Sequence, residues 1–289
     1  MLTLIEILKK SEEYLSKHGI QDARHNAELL ASHVLGKSRI QLYLEYDKPL
    51  GESEIAQLRV ALAERKTRKP VQYIFGEAEF YGIKFNLNQN VLIPRPETEL
   101  LVEEALKALK LIKPEKPVVY DIGTGSGCIA VSIAKHCDNC FVYASDVSAE
   151  ALKIASANAA INGISGRIEF LLGPDFKPFA DTAVPKADIV VSNPPYIRTA
   201  DLNELQPEVR DFEPHKALDG GGDGLDVVKR LITGFPEGAN AGGILMMEIG
   251  FGQSEAVSDF IKANDALVLP RIIKDLQGID RIVVIILKE

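Results

Sequence analysis

Asn193, Pro194, Pro195 and Tyr196 close the apolar run "ADIVVS". Proline has no backbone donor and cannot continue a central strand, so the run stops there. In this order the four residues offer an amide oxygen, a carbonyl held in direction by the prolines, and an aromatic ring. Those groups suit a planar NH2, whose delocalised lone pair makes its nitrogen a weak attacker that no base of ordinary pKa deprotonates first. Accepting one hydrogen at the Asn193 oxygen and the other at the Pro194 carbonyl concentrates electron density on nitrogen and stabilises charge as a bond forms. Tyr196 then packs on the flat face of the bound group. The plainer reading is a strand that ends in a Pro-Pro turn.

A second set lies upstream. "VVYDIGTGSGCIAVSIA" places Gly123, Thr124, Gly125, Ser126 and Gly127 between a strand and a helix. Glycine there lets the chain turn tightly and brings backbone N–H groups close to a ligand. The G-x-G-x-G spacing differs from the dinucleotide G-x-G-x-x-G. Asp121 precedes the glycines, and Asp146 ends the next strand, where a carboxylate can accept both ribose hydroxyls. An acidic residue before the glycines repels pyrophosphate but suits a cationic or zwitterionic ligand such as S-adenosylmethionine. The pattern resembles the first motif and the acidic strand end of class I methyltransferases. An NAD site and a purely structural turn are the alternatives. "GPDFKPF" adds Asp175 and Phe176, placed by the same resemblance at the adenine, although a phenylalanine at a strand end also suits a core.

Both sets must be held at one edge by strands. From Pro117 the apolar runs "PVVYDIG", "FVYASD", "RIEFLLG", "ADIVVSN", "GILMMEIG", "RIIKDL" and "RIVVIILKE" alternate with helical segments. Continuous rather than alternating apolarity marks strands covered on both faces. The expected fold is a doubly wound α/β sheet of seven strands, the last pair an antiparallel hairpin because "QGID" is too short for a helix. Its ligand crevice lies outside the carboxyl ends of the strands. Residues 1–69 read instead as a small all-α bundle, with Ser53 as a helix cap and His25 and His33 as packing residues. Residues 70–94 read as a β-hairpin linker, and residues 95–289 as the catalytic domain.

Composition narrows the chemistry. No apolar run reaches the ~18 residues that span a bilayer. The N-terminal "MLTLIEILKKSEEYL" is broken by charges, and the expected compartment is the cytoplasm. Cys137 and Cys140 form a C-x-x-C beside His136, but no second pair completes a zinc site, so they are expected to be reduced thiols and no metal is expected. Net charge is −8; residues 1–70 carry 12 Lys+Arg against 10 Asp+Glu, leaving 21 against 31 beyond. Such a surface is a poor match for a phosphate backbone.

The chain closely resembles the release-factor glutamine methyltransferase family, also called HemK or PrmC. The resemblance runs through "DARHNAELLASHVLG", "PVQYIFGEAEFYG", "VLIPRPETELLVE", "DIGTGSGCIA", "SNPPYI", "PEVRDFEPHKALDGGGDGL" and "DLQGIDRIVV". It implies methylation of the side-chain amide of the glutamine in the Gly-Gly-Gln loop of class I peptide-chain release factors. By position, it implies that Asp121, Gly123 to Gly127, Asp146, Phe176 and Asn193 bind S-adenosylmethionine, and that Asn193 to Tyr196 hold the glutamine. Phe176 departs from the tryptophan of some relatives, and Asn26 from a frequent aspartate. "FEPHKALDGGGDGL" reads by itself as a mobile loop; the resemblance puts Glu213 and Asp219 near the substrate entrance. The helical part would dock the release factor. An adenine-specific nucleic-acid methyltransferase, which would need a basic strip, and a non-catalytic binding protein are the competing readings.

Overall fold

The computed structural model describes residues 2–112, 115–268 and 270–289. These form two compact units, Met1–Glu77 with Gln206–Phe212, and Ala78–Leu205 with Glu213–Glu289.

The first unit is helical: α1 (Leu4–Lys17), α2 (Ala23–Leu35), α3 (Arg39–Leu44), α4 (Glu52–Arg65) and α5 (Val71–Phe75). Leu8, Leu15, Leu30, Leu42 and Leu58 make its core. The start of α4 differs from expectation: its cap is Gly51, whose N–H donates to the Glu54 carboxylate at 2.7 Å. Ser53 already lies inside the helix. Helix α3 starts at a capping box formed by Ser38 and Gln41, with Ser38 N donating to Gln41 Oε1 at 2.8 Å. Glu28 is buried and would hold its proton, but bonds from Tyr43, Arg24 and Arg39 bring its pKa down to about 2. His33 stacks on Phe75 with ring centroids 4.2 Å apart.

The segment Gln206–Phe212 joins this unit from far along the chain. Buried Arg65 donates to Glu208 at 2.9 Å and to Asn26 Oδ1 at 2.8 Å. Asn26 therefore anchors a guanidinium, and its own Nδ2 donates to the Gln21 and Asp22 carbonyls.

The second unit opens with a hairpin, β1 (Glu77–Phe80) and β2 (Ile83–Asn86). It is shorter than the expected hairpin over 70–94, because "VQYIF" turns as α5. Phe80 and Phe85 bury the hairpin edge to face. Asn158 ties it to the helix that follows β4 by accepting from Asn86 N at 2.8 Å and donating to Asn86 O at 3.1 Å.

After a single 3-10 turn at Pro96–Thr98 and α6 (Glu99–Leu109), the chain alternates as expected. The order is β3 (Val118–Ile122), α7 (Cys128–His136), β4 (Phe141–Asp146), α8 (Ala149–Ile161), β5 (Ile168–Leu172), α9 (Lys177–Asp181) and β6 (Ala187–Ser192). Then come α10 (Asp226–Gly238), β7 (Ala239–Glu248), α11 (Ser254–Lys262), β8 (Arg271–Lys274) and β9 (Asp280–Ile286). The seven strands order as β5-β4-β3-β6-β7-β9-β8. Pairs from β5 to β7 are parallel and those of β9 antiparallel. Helices cover both faces, so Val119, Val142, Ile189 and Leu245 are all fully buried. The chain crosses from one side of β3 to the other between β5 and β6, and the carboxyl ends of β3 to β6 share one edge. That edge is the topological switch point where doubly wound folds place their ligands.

Candidate active site

At that edge opens a cleft of about 680 Å³, lined by Gly123, Gly125, Asp146, Asn193, Pro194 and Pro195 among others. This is within the ~300–1,000 Å³ usual for small-molecule sites. The glycine loop is tied to β4: Gly123 and Thr124 N–H both donate to the Ser145 carbonyl, at 2.8 and 2.9 Å. Gly123 and Gly125 have φ of +76° and +54° and open space where a Cβ would stand, while a Cβ on Gly127 would meet Ala155 at 3.0 Å. Two glycines thus leave room on the ligand side, and the third allows helix packing.

Two carboxylates flank the loop with different duties. Asp146 accepts Gly125 N–H and Ser148 N–H, both at 2.9 Å, one on each oxygen, and each oxygen keeps a second lone pair. Burial raises its pKa, with those N–H bonds opposing the rise. Asp121 is fully buried, and burial, reinforced by the charge of Asp146, pushes it up to about 7 although Thr124 and Ala130 bond its Oδ2. Among the described residues its Oδ1 has no hydrogen-bond partner. Asp121 lies behind the glycine loop and does not line the cleft, whereas the glycine cradle itself leaves room for a ligand. Thr124 and Ser126 are buried behind the loop rather than in the cleft wall.

The Asn-Pro-Pro-Tyr stretch is held from the other side. Asn193 Nδ2 donates to Thr98 Oγ1 at 3.0 Å, Thr98 Oγ1 lies 2.6 Å from Glu248 Oε2, and Tyr196 donates its hydroxyl to Glu248 Oε1 at 3.1 Å. Among the described residues, neither Asn193 Oδ1 nor the Pro194 carbonyl receives a hydrogen bond. Burial raises the pKa of Glu248, and its bonds from Thr98 and Tyr196 and the charge of Arg281 oppose that rise. Tyr196 does not join the cleft wall: its hydroxyl is turned to Glu248, and a Cβ on Gly250 would touch its ring at 3.1 Å.

Comparison with known proteins gives this geometry a family. Residues 6–76 match the PrmC N-terminal domain, and residues 96–235 the methyltransferase small domain. A release factor glutamine methyltransferase of Geobacter sulfurreducens is 43% identical over 97% of this chain and 95% of its own length. This chain belongs to the release factor glutamine methyltransferase family. The Bacillus subtilis member is 39% identical over 97% of this chain and 96% of its own. Among solved structures, the hMettl16 catalytic domain superposes with a TM-score of 0.55 at 16% identity, covering 78% of this chain and 81% of that one. A methyltransferase from Pyrococcus furiosus gives 0.51, also at 16%, covering 80% and 97%. At such identity these two share the fold. Among the described residues no helix is long and apolar enough to cross a membrane.

Other parts of the methyltransferase site differ from the sequence reading. The loop through Glu213 and Asp219 was expected to be mobile, yet it is stitched to the Asn-Pro-Pro-Tyr segment. Ile197 N donates to Leu218 O at 3.0 Å, and Gly220 N to Ile197 O at 2.8 Å. Side chains on Gly220 or Gly224 would strike the Tyr196 backbone within 2.8 Å. Asp219 lines the cleft with His215 and Lys216, and bonds from Thr199 and the Gly221 N–H hold its pKa low. Glu213 lies beneath, paired to Arg95 at 2.6 Å. Phe176 is half-buried against α10, where a Cβ on Gly234 or Gly238 would meet its ring at 2.7 or 2.2 Å. Pro174 and Asp175 stand in the wall in its place. Cys137 and Cys140 are free thiols away from the cleft.

Asp121 makes the catalytic unit pH-dependent in a direction that can be measured. Its folded pKa, about 7, exceeds the ordinary 3.8, so the folded chain binds the extra proton between those values. Its contribution is complete below about pH 4 and is lost as pH rises through about 7. Denaturant titrations should show this unit losing stability across that window, and Asp121→Asn should flatten the trend. An unchanged slope in the variant would remove Asp121 as its source.

Proposed function

We propose that this chain methylates the side-chain amide nitrogen of the glutamine in the Gly-Gly-Gln loop of class I peptide-chain release factors, with S-adenosylmethionine as methyl donor. The carrying observation is that Asn193 and Pro194, each with an unspent acceptor, share one cleft with Gly123, Gly125 and Asp146. S-adenosylmethionine supplies an electrophilic methyl on a sulfonium. Asp146 is assigned to the ribose hydroxyls, and the Gly123–Gly127 backbone, supported from behind by Asp121, to the amino-acid end. Pro174 and Asp175, which line the cleft, are assigned to the adenine end, with Phe176 packed behind them against α10.

The residues around Asn193 do the chemistry by acceptance. An amide nitrogen shares its lone pair with its carbonyl, and no base on this chain has the strength to deprotonate it. Asn193 Oδ1 and the Pro194 carbonyl take its two hydrogens, which returns density to nitrogen and stabilises the charge that grows as the N–C bond forms. The proton surplus to the product then leaves to solvent. Pro195 keeps the Pro194 carbonyl in place, and Tyr196 anchors the motif through Glu248.

Asn193→Ala should lower kcat by ~10²–10³ while cofactor affinity changes little. Asp146→Ala should do the reverse, weakening S-adenosylmethionine by ~1.5–3 kcal/mol. Asn193→Asp, which keeps an acceptor, should retain part of the rate. Single-turnover kinetics and calorimetry on the same samples separate the two effects; normal turnover by Asn193→Ala would end the clamp reading.

The helical unit is assigned to docking the release factor. Ile40 and Leu44 of α3 are 74% and 75% exposed, with Tyr43 and Tyr46 beside them, and residues 1–70 carry charge +2 against an acidic remainder. Deleting residues 1–68 is a poor test, because Gln206–Phe212 belongs to the same unit. Leu44→Asp is cleaner. It should raise KM for the intact factor about tenfold, the scale of one interface anchor, and leave a short Gly-Gly-Gln peptide's kinetics unchanged. An unaltered KM for the factor would place docking elsewhere.

A further inference from the structure

We infer that Thr98 and Glu248 are positioning residues of the transfer reaction: together they fix which end of the Asn193 amide faces the substrate. The inference rests on the reading of Asn193 as acceptor for the substrate amide.

A side-chain amide has an oxygen end and an NH2 end of nearly the same shape. Only the oxygen end can accept a substrate N–H, and the opposite orientation would set two NH2 groups against each other. Packing alone does not distinguish the ends; a hydrogen-bond partner does. Thr98 Oγ1 is that partner, 3.0 Å from Asn193 Nδ2 and 2.6 Å from Glu248 Oε2. A hydroxyl has one hydrogen and Glu248, when ionised, can only accept, so in that state the Thr98 hydrogen points to Glu248. Toward Asn193 the hydroxyl has only lone pairs, and these select the NH2 end. Among the described residues Asn193 Oδ1 is left without a partner.

Glu248 secures the same motif a second time. Its other oxygen takes the Tyr196 hydroxyl at 3.1 Å, so one carboxylate reaches both ends of Asn-Pro-Pro-Tyr. Thr98 and Glu248 are 2% and 1% exposed, so bulk water does not replace either bond. Their elements are separate in sequence: Thr98 ends the Pro96–Thr98 turn, and Glu248 ends β7, which pairs with β6 up to Ser192. The neighbouring charges are Glu97 on the turn and Arg281 on β9.

The test uses the full-length enzyme with intact release factor, reading kcat, cofactor affinity and melting temperature on each variant. Thr98→Val removes the hydroxyl at constant shape and should lower kcat about ten- to a hundredfold, with cofactor affinity unchanged. Thr98→Ser should restore most of the rate. In an Asn193→Ala background Thr98→Val should cost nothing further, because the group it orients is gone. A purely structural Thr98 would instead add its loss to that of Asn193→Ala. Full activity of Thr98→Val, equal losses in Val and Ser, or full additivity would each overturn the inference. If Asn193→Ala is inactive while Thr98→Val is not, the inference alone fails; if Asn193→Ala is active, the reading beneath it fails too. Should Thr98→Val not fold, Glu248→Gln carries the same comparison, since a glutamine lets Thr98 point its hydrogen either way.

Discussion

One hydrogen on the Thr98 hydroxyl governs the arrangement at the centre of this protein. On the inference that it goes to Glu248, Asn193 offers Thr98 its NH2 end, and among the described residues its oxygen stays unbonded and available to the proposed substrate. Acceptance of amide hydrogens is the means available to a site with no strong base, and it works only if the acceptor already points the right way. Preorganisation of this kind is worth more inside a cleft than in water, where dipoles must reorient as charge develops.

The sheet supplies the precision. Parallel pairing of β3 with β4 and β6 brings the glycine loop, Asp146 and Asn193 to one edge, although the three lie far apart in sequence. Ser192 extends the link by donating to the Ile122 carbonyl at 2.7 Å, which joins the Asn-Pro-Pro-Tyr strand directly to the strand before the glycines. The loop from Glu213 to Gly224 is then fastened to Ile197 and Thr199 by backbone bonds. Gly220 and Gly224 leave no room for a side chain, because the Tyr196 backbone passes within 2.8 Å of where a Cβ would be. The acidic, glycine-rich composition that suggests mobility instead reflects close packing.

Much of this was legible in the sequence. Continuous apolar runs announce strands buried on both faces, and G-x-G-x-G with Asn-Pro-Pro-Tyr announces what their ends carry. Less legible were residues whose role depends on distant partners. Thr98 sits in "RPETELL", which reads as an ordinary helix start, and its partner Glu248 lies 150 positions away. One signal was available: a lone glutamate in the apolar run "GILMMEIG" must find partners if it is buried. Helix α3 also carried a readable signal in its Ser-x-x-Gln cap. By contrast, nothing local in "QPEVRDF" says that it joins the helical unit through Arg65, and Phe176 packs against two glycines of α10 that no nearby residue foretells.

The most direct measurement is a crystal structure of the enzyme with S-adenosylhomocysteine and a Gly-Gly-Gln peptide. The glutamine amide nitrogen should lie about 3 Å from both Asn193 Oδ1 and the Pro194 carbonyl oxygen, with Asn193 Nδ2 still on Thr98. A glutamine amide bound away from Asn193, or one that faces its NH2 end, would contradict the account.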